Sequence, residues 1–495
     1  MGIELADSIN SKEKPLSHLR VAFTAIDLEQ AEHRGIAYLS KALISSLSDL
    51  GAEVYLITGF YGQRLNPLMK SSMSAQSVRE VDCADILDQF CDPKNRMNKI
   101  KRESDFEEDL ITKFVNKCIK LKSGSRQTIK LLFSVLRFYI CRGKFSGRLI
   151  NLYNYENSPY FGQERVSYLS KISGFLSIRD IYHLCTLRSK RLLPKSPSID
   201  LRKSKIDLLI TSCPLSIDVI RNTKKNSSIL QIIMDFIPLS FSKHPDHPFD
   251  FYNRLKDAMR TKSCFISKTS RDKVCLLLEK SHSFDYQNII YPLPSLNIDK
   301  LNLASKVKNL RGLKNKFILF NSSVVPRKNL HFLINIFKNS ELASQDFDLC
   351  IAGKLHDDQY GDDIKKMCEG DASIKLLDYV DENEKAWLFL NAYAFVSPSC
   401  VEGFGIPVLD AAALGLRVIA SDIPSHKEIA DLVDANQSFQ LLDLSNIDKW
   451  IYEFNLLNTL DLCMEEEIKF RISKFQSCFK FLKDGFDKTI VDLLL

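Results

Sequence analysis

The stretch Ala394 to Glu428, A-F-V-S-P-S-C-V-E-G-F-G-I-P-V-L-D-A-A-A-L-G-L-R-V-I-A-S-D-I-P-S-H-K-E, decides how the chain is read. Ala394 to Val396 is a short apolar run closed by Pro398, the pattern of a buried strand. Glu402-Gly403-Phe404-Gly405 is a tight loop. Pro407 suits the first turn of a helix whose apolar positions continue through Leu409 and Leu414, and Gly415 closes it. Arg417 to Ala420 is a second strand-like run, ended by Ser421-Asp422-Ile423-Pro424. Strand, glycine loop, helix and strand in that order predict a parallel strand pair. Its loop lies at the carboxyl ends of the strands, where open α/β sheets bind ligands.

The loop is suited to an anion. A helix start leaves backbone N–H groups without intrahelical partners, and two glycines allow a diphosphate to come close. Glu402 precedes the helix and Asp410 lies in its early turns, seven residues separating them. Two acids so placed can accept hydrogen bonds from vicinal hydroxyls on either side of a phosphate, one at a sugar and one at a ribose. Taken singly, either acid would serve equally well as a helix-terminus charge.

P-S-C-V-E-G-F-G-I-P-V-L-D-A-A-A-L-G-L-R-V-I-A-S-D-I-P resembles the donor-site signature of nucleotide-sugar glycosyltransferases of the GT-B fold, specifically retaining glycosyltransferase family 4. The resemblance implies that Glu402 meets the transferred sugar, that the loop Gly403, Phe404, Gly405 and Ile406 presents backbone amides to sugar or phosphate, and that Asp410 takes the ribose hydroxyls. The family usually has glutamate where this chain has Asp410, one methylene shorter. Asn321-Ser322-Ser323-Val324-Val325-Pro326-Arg327-Lys328-Asn329 follows an apolar run at Lys316 to Phe320 and resembles the family's P-R-K-N segment. There the resemblance makes Arg327 and Lys328 the cations that hold the donor diphosphate, with Ser322 beside it. Two adjacent cations at a strand-to-helix junction oppose the helix dipole, which itself favours a site role over a solvated helix start.

Length and composition agree with this reading. The chain has 495 residues, 45% of them hydrophobic, enough for two or three cores. Its net charge of +7 conceals an asymmetry: 50 basic and 32 acidic side chains up to Lys314, 18 and 29 beyond it. No nucleic-acid-binding signature accompanies the basic half, so nucleic acid is not expected as a partner. An anionic membrane surface attracts the same charge. The thirteen cysteines are scattered, with no C-x-x-C pair, and read as small buried hydrophobes of a reducing compartment. No basic region followed by an apolar core opens the chain, and no apolar run is long enough to span a bilayer. A cytoplasmic location is expected, peripheral on the inner membrane face where the basic half meets lipid.

In chain order, Leu19 to Ile26 reads as the first strand, Gly35 opens a helix after it, and Glu53 to Thr58 is the next strand. H-R-G-I-A-Y-L around Gly35 resembles the family's first glycine loop. From about residue 91 to 205 the α/β rhythm stops and a basic, mainly helical insertion is expected. Within it Ile129 to Ile140 is amphipathic, with Lys130, Arg137, Arg142, Lys144 and Arg148 nearby. Such a stripe suits either packing on the domain or a helix lying on an anionic membrane. Asp207 to Pro214 and Ile229 to Pro238 restore the strand pattern. The second resembles a family strand ending in His-Asp, but Met234 holds the histidine position, leaving Asp235 as the polar group. His244 and His247 follow in a proline-rich loop.

These observations predict an α/β protein of two Rossmann-like domains facing a cleft: residues 1–296 on the acceptor side, 297–475 binding the nucleotide sugar, and a C-terminal helix, 476–495, packing back on the first domain. The resemblance implies hexose transfer with retention, with Arg327, Lys328, Glu402 and Asp235 as the catalytic set. The donor is a nucleotide-diphosphate sugar, with a lean toward GDP-linked mannose, and the acceptor a glycan or a lipid-linked one in cell-envelope assembly. No metal or other cofactor is expected. A GT-B epimerase, or a degenerate sugar-binding subunit, remains the alternative.

Overall fold

The computed structural model describes residues 14–495 except 31–32, 34, 63–64, 66, 93–122, 154, 222–228, 242–245, 279–287, 308–309, 314–315, 435–437 and 461. His244 and the first part of the expected insertion lie outside the described residues. The chain divides into two compact units. The first holds Met1–Ile232, Tyr252–Ser263 and Ile490–Leu495; the second holds Ile233–Phe251 and Cys264–Thr489. The units part at Ile232 and again at Ser263, not at the connector before residue 297.

The sheet that begins in the first unit has seven strands: β1 (Arg20–Thr24), β2 (Glu53–Thr58), β4 (Arg148–Asn151), β5 (Gly174–Ser177), β7 (Leu208–Thr211), β9 (Ile229–Ile233) and β10 (Lys262–Phe265). Their order is β10-β9-β7-β1-β2-β5-β4. β1 lies parallel to β2 and β7, with Phe23 opposite Leu56 on one side and Ile210 on the other. A parallel sheet covered on both faces reads as continuous apolar sequence, which is why β1, β7 and β9 are visible in the chain.

The 91–205 segment corrects the expectation of a mainly helical insertion. It contains the helices Ser123–Ile140 and Ile181–Ser189. It also supplies β5, parallel to β2, and β4, antiparallel to β5. Two further strands, β3 (Lys144–Ser146) and β6 (Ser198–Asp200), join β8 (Asp218–Ile220) in a small parallel sheet of order β3-β6-β8. Strands of three or four residues are too short for a period of two to stand out from a helical pattern.

Among the described residues the second unit contains a six-stranded sheet: β11 (Lys316–Asn321), β12 (Phe347–Ala352), β13 (Ile374–Asp378), β14 (Ala394–Ser397), β15 (Val418–Ser421) and β16 (Phe439–Leu442). Their order is β13-β12-β11-β14-β15-β16 and every pair is parallel. Counted from β11 this is 3-2-1-4-5-6, the doubly wound dinucleotide-binding order, and the order reverses between β11 and β14. Ile318, Leu349, Val396 and Ile419 from four of these strands meet Trp450 and Phe454 in one core. The long helix Met464–Leu494 is fixed to this unit by Arg471, which is 2% exposed and donates to the carbonyls of Leu390 (2.7 Å) and Ala392 (2.8 Å) at the end of the Glu382–Asn391 helix. Its last turn groups with the first unit, where Lys262 Nζ donates to the Leu493 carbonyl at 2.7 Å.

Candidate functional site

The strand order reverses between β11 and β14, the point at whose carboxyl ends open α/β sheets bind ligands, and both loops that leave there carry the expected charges. After β11 the chain makes one tight turn, Pro326–Lys328, ended by Asn329 in the left-handed region (φ 58°) before the Leu330–Asn339 helix. After β14 comes Pro398 to Gly405 and then the helix Ile406–Ala413, with Pro407 in its first turn and Gly405 at φ 115°. The backbone N–H of Cys400 donates to the Arg327 carbonyl at 2.8 Å, so the two loops are tied directly.

Glu402 is the centre. Its carboxylate accepts from Arg327 Nη1 at 2.7 Å, from Ser399 Oγ at 2.8 Å and from Lys328 Nζ. Both Glu402 and Lys328 are only 6% exposed, whereas Arg327 reaches water. Burial alone would push the Glu402 carboxyl up, but the charges of Lys328 and Arg327 hold it below the ordinary carboxylate range. Burial lowers the Lys328 ammonium to about 8, against the pull of Glu402. The result is a buried acid with two cations, net positive by one charge, facing the switch point. Such a group receives a dianionic diphosphate better than water-exposed lysines would, because the charges are fixed before the ligand arrives.

Glycine places the loop. A Cβ on Gly403 would lie 2.5 Å from Asp235 Cβ and 3.0 Å from the Met234 carbonyl oxygen, so Asp235 is brought against the loop and only glycine fits between. Asp235 Oδ1 also accepts the N–H of Ile237 at 3.0 Å. Ser267 Oγ (2.8 Å) and Ser270 Oγ (3.2 Å) both donate to the Gly403 carbonyl, fixing the peptide from behind. Phe404 is buried, at 5.9 Å between ring centroids from Tyr291, while Ile406 is half-buried at the helix start. Ser322 stands at the end of β11, where a side chain on Gly353 would strike its carbonyl. Gly35 belongs to the first unit, as the first residue of the Gly35–Asp49 helix.

The structure corrects the expectation for Asp410. Its carboxylate is fully buried and closed by protein donors: Ser295 N (2.5 Å) and Leu296 N (3.3 Å) on Oδ1, Ser295 Oγ (2.6 Å) and Lys385 Nζ (3.1 Å) on Oδ2. A side chain one methylene short of glutamate is drawn into this clasp and presents no lone pair to a ribose. Two residues were not singled out from sequence. Ser399 bonds Glu402 directly, and its carbonyl accepts from Ser421 Oγ at 2.6 Å. His426 is fully buried, with Nδ1 at 2.9 Å from the Ser421 carbonyl, and burial lowers it to about 4, so it is neutral. The signal for Ser399 was its place three residues before Glu402; nothing in the sequence ties His426 to it.

Two Rossmann-like α/β units with the charged loops at a switch point define the GT-B fold. Among solved structures, sucrose-phosphate synthase from Thermosynechococcus elongatus aligns with a TM-score of 0.52 and 13% identity, covering 96% of this chain and 99% of that one. TarM aligns with a TM-score of 0.50 and 13% identity, covering 97% and 99%. Residues 303–435 match the family described as glycosyl transferases group 1. The O-antigen chain mannosyltransferase RfbU of Salmonella typhimurium is 31% identical over 185 residues, 36% of this chain and 48% of that protein. The phosphatidyl-myo-inositol mannosyltransferase of Mycobacterium leprae is 26% identical over 155 residues, 30% of this chain and 41% of that protein. The chain therefore spans less than half the length of either relative.

Proposed function

We propose that the protein transfers a hexose, mannose before others, from a nucleotide-diphosphate sugar to a glycan or lipid-linked acceptor in cell-envelope synthesis, with retention of configuration. The observation that carries this is the convergence of Lys328 and Arg327 on Glu402 at the strand-order reversal, on a domain of the group 1 family. Mannose is favoured because RfbU and its mannosyltransferase companions are named for it. In this reading Lys328 and Arg327 neutralise the departing diphosphate, and Glu402 keeps both cations in place while accepting from the sugar hydroxyls. Gly403 and Gly405 let the loop backbone approach the donor. The leaving phosphate takes the acceptor proton, and attack comes on the face from which the phosphate departs.

Turnover of GDP-mannose against a panel of other nucleotide sugars tests the donor. The expected product keeps the anomeric configuration of the donor by NMR, and Lys328→Ala lowers its formation about 10²- to 10³-fold, the loss typical of one preorganised charge donor. An inverted product, or near wild-type turnover by Lys328→Ala, would remove the mechanism. Incubation with donor alone separates transfer from epimerisation.

A further inference from the structure

From Leu131 onward the Ser123–Ile140 helix carries two apolar faces where a helix on a globular domain needs one. Leu131, Val135 and Phe138 face inward and pack on the core of the first unit, with Phe138 2% exposed. Leu132, Leu136, Tyr139 and Ile140 lie on the adjoining face and turn outward, at 62%, 54%, 58% and 72% exposure. Their i, i+4, i+7, i+8 spacing confines them to an arc of about 100° on the helix, one continuous stripe left in water.

Cations sit at the end of that stripe. The helix stops in a turn where Arg142 and Gly143 both have positive φ (50° and 71°), and Arg142 and Lys144 are exposed and, among the described residues, without an ion-pair partner. Lys195 joins them, its Cε 3.0 Å from where a Cβ on Gly143 would be. Arg137, on the flank, is instead held by Asp180 Oδ2 (3.2 Å) and the Arg179 carbonyl (2.8 Å), and Arg148 by Asp82. The tethered cations are neutralised; among the described residues no carboxylate holds Arg142 or Lys144, while Lys195 also feels the charge of Asp218.

We propose that this face docks on an anionic lipid bilayer, with Leu132, Leu136, Tyr139 and Ile140 at the acyl boundary and Arg142, Lys144 and Lys195 among the headgroup phosphates. An apolar stripe with a phenol at its margin and lysine or arginine at its end is the arrangement that lies in a bilayer interface. No described helix is long and apolar enough to cross a membrane, so the contact is a surface one. The charge argues against two other occupants. A second copy packed in parallel through the same face sets these cations against themselves, and one packed antiparallel leaves them without a countercharge. The preceding stretch, residues 93–122, has nine Lys and Arg to five Asp and Glu, and gains nothing from a basic rim. The inference does not rest on the donor reading, and its test does not use transfer activity.

The full chain is sedimented with vesicles containing phosphatidylglycerol and with vesicles of phosphatidylcholine alone. It should pellet with the first only, and added salt should release it. Arg142→Glu with Lys144→Glu should weaken binding about fivefold for each cation lost. Leu136→Ser with Ile140→Ser should weaken it about tenfold per side chain, with thermal melting unchanged because all four positions are exposed. The proposal is overturned if the wild-type chain stays in the supernatant, binds both vesicles equally, or is matched by both variants. It is also overturned if the serine variant splits a lipid-free dimer, which assigns the face to a second copy, or if only a chain lacking residues 93–122 binds.

Discussion

Lys328 is buried, cationic and paired with a single acid, and its protonation therefore has a consequence for rate. Its pKa in the folded protein lies near 8, below the ordinary lysine value, because burial outweighs the attraction of Glu402. The charged form is the one that can meet a diphosphate, so donor capture should decline as pH rises through about 8. The profile of kcat/KM reports the free enzyme and should show this alkaline limb; in kcat it moves higher, because a bound diphosphate favours the ammonium. Lys328→Arg should lose the limb while retaining activity, since a guanidinium stays charged throughout. A limb at the same pH in that variant would assign it to another group. The stability sign is opposite: a lysine whose folded pKa is depressed lets stability rise as pH climbs from about 8 toward the unfolded value. Asp410 supplies the second residue-scale case. Asp410→Asn keeps the volume but leaves Lys385 facing a neutral amide in a buried setting, and breaking a buried pair costs about 3–5 kcal/mol. Donor KM should hold while chemical denaturation shows the loss; a raised KM with unchanged stability would restore the ribose role.

At the scale of elements the two loops behave as one part, because the strand order sets β11 beside β14 and the Arg327 carbonyl ties them. Gly403→Ala tests that part. The new methyl meets the backbone-proximal atoms of Met234 and Asp235, which cannot swing away, so the loop itself must move. A shift of about 1 Å at a site that positions reacting groups can cost about 10²-fold in rate, against a stability loss of about 1–3 kcal/mol for overpacking. Gly485→Ala is the contrast. It lies inside the Met464–Leu494 helix with nothing near its Cβ, and should gain about 0.8–1 kcal/mol by helix propensity alone. Equal effects from the two substitutions, read as melting temperature and turnover, would reduce the Gly403 argument to chance. Much of this part was legible in the chain. Pro326 to Asn329 and Glu402 to Pro407 carry their chemistry locally, in cations and glycines at strand ends. The Asp410 clasp was not legible, because its partners Ser295 and Lys385 stand 115 and 25 positions away and are ordinary in their own contexts. β4 and β5 were hidden for a different reason: each has only two apolar side chains, Leu149 and Ile150 in one, Phe175 and Leu176 in the other, and a helix pattern accommodates that many.

For the whole molecule, the partition of the chain makes a prediction about where it can be cut. A boundary before residue 297 looks natural in sequence, since a polar connector precedes the β11 run. The second unit nevertheless draws on residues well before it. Glu428, 9% exposed, accepts from the backbone N–H groups of Lys268 (2.5 Å) and Thr269 (3.2 Å) and from Thr269 Oγ1 (3.1 Å), and so caps the Lys268–Leu277 helix from another part of the chain. The Gly403 carbonyl takes the hydroxyls of Ser267 and Ser270, and Asp410 takes three donors from Ser295 and Leu296. A fragment of residues 297–495 forfeits all of these and leaves two buried carboxylates short of partners. A fragment of residues 264–495 keeps them. Lys385 stays with Asp410 in both fragments, but at about 1.5–3 kcal/mol for each hydrogen bond to a charged group the donors lost from Glu428 and Asp410 remove much of the 5–15 kcal/mol that holds a typical domain folded. Urea titration followed by circular dichroism should therefore give the longer fragment a cooperative transition and the shorter one none, or one at far lower urea. Equal midpoints would mean that the Ser267, Lys268 and Ser295 contacts contribute little, and that the charged loops at the switch point are held by β11 and β14 alone.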